Sequence, residues 1–93
     1  MAKGYWITCY RSMPDAATLA DYAKVAAPAI ESHGGRFLAR GNPVKTYEAG
    51  MSQRVVIIEF ASLERAVAAY ESAEYQAALD ILRNSAERDV RIL

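Results

Sequence analysis

The segment Arg54-Val55-Val56-Ile57-Ile58-Glu59-Phe60 constrains this chain more than any other. Its β-branched and aromatic residues read as a strand. Side chains alternate along a strand, so Val56, Ile58 and Phe60 point one way and Val55 and Ile57 the other. Both faces are apolar, and each needs cover. Helices elsewhere in the chain supply one. A chain of 93 residues has little left for the second, which points to a second copy of the protein. Burying each large aliphatic side chain contributes about 1.5–3 kcal/mol. A whole sheet face left wet would forfeit several such contributions, and soluble monomers rarely expose a patch that large.

The remaining segments build around that strand. Residues 4–11, Gly-Tyr-Trp-Ile-Thr-Cys-Tyr-Arg, read as the first strand. Met13-Pro14-Asp15 opens a helix, with Asp15 in its first turn against the positive end of the helix dipole. Leu19, Tyr22, Ala23, Ala26, Ala27 and Ile30 then recur at helical spacing. Pro28 falls inside that pattern, where its missing N–H predicts a kink or a break. His33-Gly34-Gly35 ends the helix, with Gly34 suited to the left-handed cap.

A second strand is expected at 36–40, interrupted by Gly41-Asn42-Pro43 and resuming over 44–48. Ala49 to Ser52 turn into the strand at 53–60. Ser62 caps the next helix, with Glu64 in its first turn, and Ser72 reads as a second cap followed by Glu74. Helical stretches over 63–71 and 73–85 are either one bent element or two. Val90 and Ile92 alternate in a final strand. Strand, helix, strand, strand, helix, strand is the order of an α+β, ferredoxin-like domain spanning 1–93: a four-stranded antiparallel sheet with its helices on one face. Two such sheets meeting on their helix-free faces make a dimeric α+β barrel.

Composition narrows the function classes. Eleven basic and eleven acidic residues cancel, and no basic stripe of the kind that nucleic acid or a membrane surface attracts is visible. No apolar run approaches the ~18 residues of a membrane span, and the start of the chain shows no signal peptide, so the expected location is cytoplasmic. A single cysteine excludes a disulfide within one chain, and Cys9 reads as a small buried hydrophobe in the first strand. One histidine and one cysteine argue against a transition-metal site, and no phosphate-cradling glycine loop is present. No cofactor is expected.

Four segments carry a resemblance. They are Lys3 to Ile7, His33 to Gly41, Arg54 to Phe60 and Tyr70 to Gln76. In that order they resemble the family catalogued as domain of unknown function 1330, over almost the whole chain. Ala61 and Ala73 stand where that family often has proline, and Tyr70 where tryptophan is common. The resemblance implies membership of the dimeric α+β barrel superfamily. That superfamily includes cofactor-free monooxygenases, isomerase-like and dehydratase-like enzymes, and stress-response proteins. It implies an architecture and a habit of binding small molecules, since fold does not fix reaction.

Candidate site residues follow from side-chain chemistry. His33 is the only side chain expected to titrate near neutrality, so it is the candidate catalytic base; the alternative is a histidine serving the helix end. Arg36 and Arg40 are expected on one face of the second strand, with Glu59 opposite about Asn42 and close to Arg40. That pair is either a strut or an arginine clamp for a carboxylate ligand. Tyr5, Tyr10, Tyr22, Tyr70 and Tyr75 offer apolar area with a polar tip, and of these Tyr10, Tyr70 and Tyr75 join Arg40 as the ligand-binding candidates. The functional expectation is a homodimer that binds a small aromatic or carboxylate metabolite, with cofactor-free turnover as its enzymatic form. The alternative is a non-enzymatic binding or stress-response module.

Overall fold

The structure is a computed structural model, which describes residues 2–93. The chain runs β1 (Gly4–Tyr10), α1 (Ala16–Ser32), β2 (Arg36–Gly41), β3 (Val55–Phe60), α2 (Leu63–Glu71), α3 (Ala73–Leu82) and β4 (Arg88–Ile92). The strands form one antiparallel sheet in the order β2-β3-β1-β4. This is the ferredoxin-like arrangement, with its second helix divided into two.

Local chemistry sets most of the boundaries. The Asp15 carboxylate accepts the backbone N–H of Thr18 at 2.7 Å, so Asp15 stands just outside α1 as its N-cap. That bond and the positive helix end hold its carboxyl below the ordinary range. Ser62 caps α2 through the Arg65 N–H, and Ser72 ends α2 and caps α3 through the Tyr75 N–H, both at 3.2 Å. The extended backbone of Ser72 makes the break, so 63–71 and 73–82 are two helices. α3 stops at Leu82 because Arg83 takes a positive φ of 46°, and the Ser85 hydroxyl caps the Leu82 carbonyl.

Pro28 does not interrupt α1. The ring and the Lys24 residue whose carbonyl it leaves unpaired are both exposed, so water can serve that carbonyl and the helix runs through. Gly34, at φ 83°, takes the left-handed conformation at the helix end.

Cross-strand partners share a face. Trp6, Thr8 and Tyr10 of β1, Val56, Ile58 and Phe60 of β3, and Arg88, Val90 and Ile92 of β4 therefore point to the helices. The core lies between them and α1, α2 and α3, centred on Trp6. Its indole stacks with Phe60 at 6.3 Å and meets Tyr75 and Tyr70 edge-on at 4.7 and 5.2 Å.

The outer face carries Tyr5, Ile7, Cys9, Val55, Ile57 and Ala39, rimmed by Lys3, Arg36, Glu59, Asp89 and Arg91. No helix packs there. Cys9 is accordingly exposed in the single chain and not buried as the sequence suggested, because alternation turns it away from the helices.

Two expectations about β2 are overturned. Residues 44–48 form no strand, and 42–54 is a loop on which Val44, Tyr47 and Met51 are exposed. The connection is therefore not a turn confined to 49–52, and Glu59 pairs with Arg36 and not with Asn42. A bulge between Phe37 and Ala39 then flips the remainder of the strand, so Arg36 faces outward while Arg40 pairs with Val56 on the helix side.

Candidate functional site

A cavity of about 70 Å³ opens between α1 and the end of the sheet. The floor is Trp6, Thr8, Tyr10, Val56 and Ile58, and Tyr22 and Ile30 hang over it from α1. Arg40, Arg54 and Arg88 complete the rim. Between Tyr22 and Ile30 the helix positions that line it are small, Ala23, Ala26 and Ala27, and the helix leaves space there.

Arg88 is the centre of the polar part. It is half-buried at the start of β4, opposite Tyr10. It donates from one guanidinium nitrogen to the Tyr22 hydroxyl at 3.2 Å and from another to the Tyr75 hydroxyl at 3.1 Å. The two hydroxyls are 2.6 Å apart. The guanidinium carbon also lies 5.5 Å from the Tyr10 ring centroid. Among the described residues, no carboxylate pairs with Arg88.

Burial works against the Arg88 charge, but the Tyr75 and Tyr22 oxygens around it favour the charge more, and its pKa is raised. Burial likewise raises Tyr75 and Tyr10, which stay protonated phenols. Arg88 is thus a charged guanidinium held among neutral phenols, and no carboxylate among the described residues neutralises it.

The sequence-derived candidates divide. Tyr10 and Arg40 line the cavity, Arg40 with its guanidinium 4.4 Å over the Phe37 ring. Tyr75 lies behind it, fully buried, and reaches the site only through its hydroxyl. Tyr70 packs edge-on against Trp6 in the core. His33 stands at the C-cap of α1 and is not among the cavity-lining residues. Its Nδ1 lies 2.9 Å from the Ala29 carbonyl, an arrangement that requires the proton on Nδ1.

Arg40 and Glu59 do not pair. They lie on opposite faces of the sheet, and Glu59 instead accepts from Lys3 at 3.2 Å and the Tyr5 hydroxyl at 3.3 Å. Those contacts, Lys3 foremost, hold its carboxyl below the ordinary range.

Sequence reasoning missed Arg88. The available signal was its register: Arg88 shares a face with Val90 and Ile92, which puts a charge at a core-facing position. No cluster of three or more His, Cys, Asp or Glu side chains suited to a metal occurs among the described residues. No helix among them is long and apolar enough to cross a membrane.

Fold and cleft together define a ferredoxin-like domain with a small, aromatic-lined cavity beneath its first helix. The chain belongs to the family described as Domain of unknown function (DUF1330), which it matches over residues 3–93. No curated protein matches it.

Solved structures share the fold. A protein of unknown function from Rhodopseudomonas palustris superposes with a TM-score of 0.70 at 18% identity, covering 98% of this chain and 80% of that one. A dimeric, ferredoxin-like protein of unknown function from Bacteroides fragilis gives 0.64 at 12%, with 98% and 94% covered. SnoaB, a cofactor-independent oxygenase from Streptomyces nogalater, gives 0.68 at 11%, with 100% and 92% covered.

Proposed function

We propose that this chain acts as a homodimer that binds a small organic anion with a flat, apolar body, of the aromatic-carboxylate or enolate type. The observation that carries the reading is Arg88: a half-buried guanidinium in an aromatic cleft, with two phenol partners and no carboxylate. Arg40 and Arg54 at the rim add positive potential and draw an anion inward. Tyr10, Phe37 and Trp6 supply the apolar walls.

Two features support the second copy. The outer sheet face is apolar at its centre and charged at its rim, the usual anatomy of an interface. Beside it the 42–54 loop leaves Val44, Tyr47 and Met51 exposed, which extends the apolar surface available to a second copy. The description of the Bacteroides fragilis relative as dimeric agrees.

Cofactor-free turnover is the second reading. The donors around the cleft would stabilise an oxyanion developing on an enolisable substrate as well as one already present. SnoaB's description as a cofactor-independent oxygenase on the same fold is the observation that favours it.

The test joins native mass spectrometry to titration with benzoate. The chain has one tryptophan and it lines the cleft, so quenching of its fluorescence reports directly on occupancy. A dimer whose Trp6 signal saturates with benzoate supports the reading. A monomer refutes the assembly, and an unchanged signal with benzoate and a panel of related aromatic acids refutes the binding role.

A further inference from the structure

The Tyr22, Tyr75 and Arg88 cluster has more hydrogens than the protein has acceptors for. A guanidinium accepts nothing, so Arg88 is the donor to both phenolic oxygens. The hydroxyls are 2.6 Å apart, so one donates to the other and one proton of the pair is left over. Tyr75 has no exposed surface and does not line the cleft, and its hydroxyl reaches no other acceptor among the described residues. A leftover proton on Tyr75 would be a buried unpaired donor, an arrangement that folded proteins avoid. Tyr75 therefore donates to Tyr22. The Tyr22 proton is then left without a protein acceptor, on a side chain that is 9% exposed and lines the cleft.

Thr8 repeats the pattern. Its Oγ1 accepts from the Trp6 Nε1–H at 2.8 Å. The residue is only 3% exposed, it lines the same cleft, and its own hydroxyl proton has no acceptor among the described residues. Thr8 and Arg88 are diagonal neighbours on the helix-facing side of the sheet, since Thr8 pairs with Val90 and Tyr10 with Arg88. Tyr22 is brought over them from α1. Arg88 has further N–H groups beyond the two it uses. Among the described residues no Asp, Glu, His, Asn or Gln lines the cleft, and the phenol of Tyr10, which does, lies beside Arg88.

We infer that the cleft is a donor-rich site in which the Tyr22 and Thr8 hydroxyls and Arg88 all give protons to the ligand, so that it selects an oxyanion over an amide of the same shape. This rests on the binding role proposed above and adds the direction of each hydrogen bond. An amide would turn its N–H toward Arg88, which accepts nothing, and toward a Tyr22 oxygen that already accepts from Arg88 and Tyr75. A site whose buried polar groups are left unpaired rejects such a ligand strongly.

Benzoate and benzamide test it, being nearly equal in size and shape. Titrated into the wild-type protein and followed by Trp6 fluorescence, benzoate binds more tightly than benzamide by roughly tenfold or more. Tyr22→Phe and Thr8→Val each weaken benzoate by roughly tenfold and weaken benzamide, whose carbonyl is a neutral acceptor, by less. Tyr75→Phe weakens benzoate less than Tyr22→Phe does. Equal affinities, or wild-type benzoate binding by Tyr22→Phe, overturn the donor assignment while the binding role stands. Binding of neither compound by well-folded wild type overturns both.

Because Tyr22→Phe also removes a core hydrogen bond, a ligand-free measurement accompanies it. In proton NMR of the wild type, the Tyr75 hydroxyl gives a downfield, slowly exchanging resonance and the Tyr22 hydroxyl exchanges fast. The reverse pattern overturns the assignment.

Discussion

Replacing Arg88 by leucine separates a binding residue from a strut. The guanidinium makes two hydrogen bonds, to Tyr22 and Tyr75, and lies over Tyr10. Hydrogen bonds involving a charged group contribute about 1.5–3 kcal/mol each. Against them stands the desolvation of a half-buried ion that has no counter-charge, which costs several kcal/mol. Leucine removes both terms and adds apolar area against Tyr10. The folded state of Arg88→Leu should therefore lie within about 2 kcal/mol of the wild type, by near-cancellation of those terms. For a domain of this size that is a Tm change of less than roughly 15 °C, at about 4–8 °C per kcal/mol.

Binding has no such cancellation. The ligand loses the guanidinium that both phenols hold in place, and benzoate affinity should fall roughly tenfold to a hundredfold, from about 1.5–3 kcal/mol. Arg88→Lys should fall between, since an ammonium keeps the charge but cannot bridge both phenols. Melting is read by circular dichroism and affinity by Trp6 fluorescence. Wild-type affinity in a folded Arg88→Leu variant would refute the reasoning, as would a collapse in stability with affinity retained in whatever remains folded.

Other perturbations probe the rest of the molecule. Ile57→Lys, at the centre of the outer sheet face, should convert a dimer to a monomer in size-exclusion chromatography with light scattering; a stable dimer would mean the copies meet elsewhere. His33→Ala should leave benzoate binding unchanged, and a loss would return His33 to the site. Gly35→Ala would place a methyl 2.5 Å from Ile30 Cγ2 and 2.8 Å from Phe60 Cζ. Such overpacking costs about 1–3 kcal/mol and should show as a lower Tm. Asp15, Glu59 and Asp89 all have depressed folded-state pKa values, held respectively by the Thr18 N–H, Lys3 and Arg91. Their contribution is present above the unfolded carboxylate range and is lost as pH falls through the folded values. Stability should therefore be flat near neutrality and decline below about pH 4, with Asp15→Ala shrinking the acid limb.

Local signals in the sequence determined the elements. The period-two pattern of β1, β3 and β4, the caps at Ser62 and Ser72 and the left-handed Gly34 depend on neighbours a few residues away, and all stand in the structure. The two apolar faces of β3 were equally legible, because alternation is intrinsic to an extended chain.

What tertiary structure alone decided was register and meeting. One bulge after Phe37 sends Arg40 to the helix face and leaves Arg36 outside, and a slip of one residue inverts everything beyond it. A sequence pattern cannot place such a bulge, nor foresee that 44–48 stays a loop. The candidate site depends on longer separations still: Tyr22 and Tyr75 are 53 residues apart, Tyr22 and Arg88 are 66. Each is ordinary in its own segment, a helix tyrosine, a second helix tyrosine and a strand arginine. They become a candidate site because packing α1 and α3 onto one sheet face closes the core around a charge that no acid among the described residues meets.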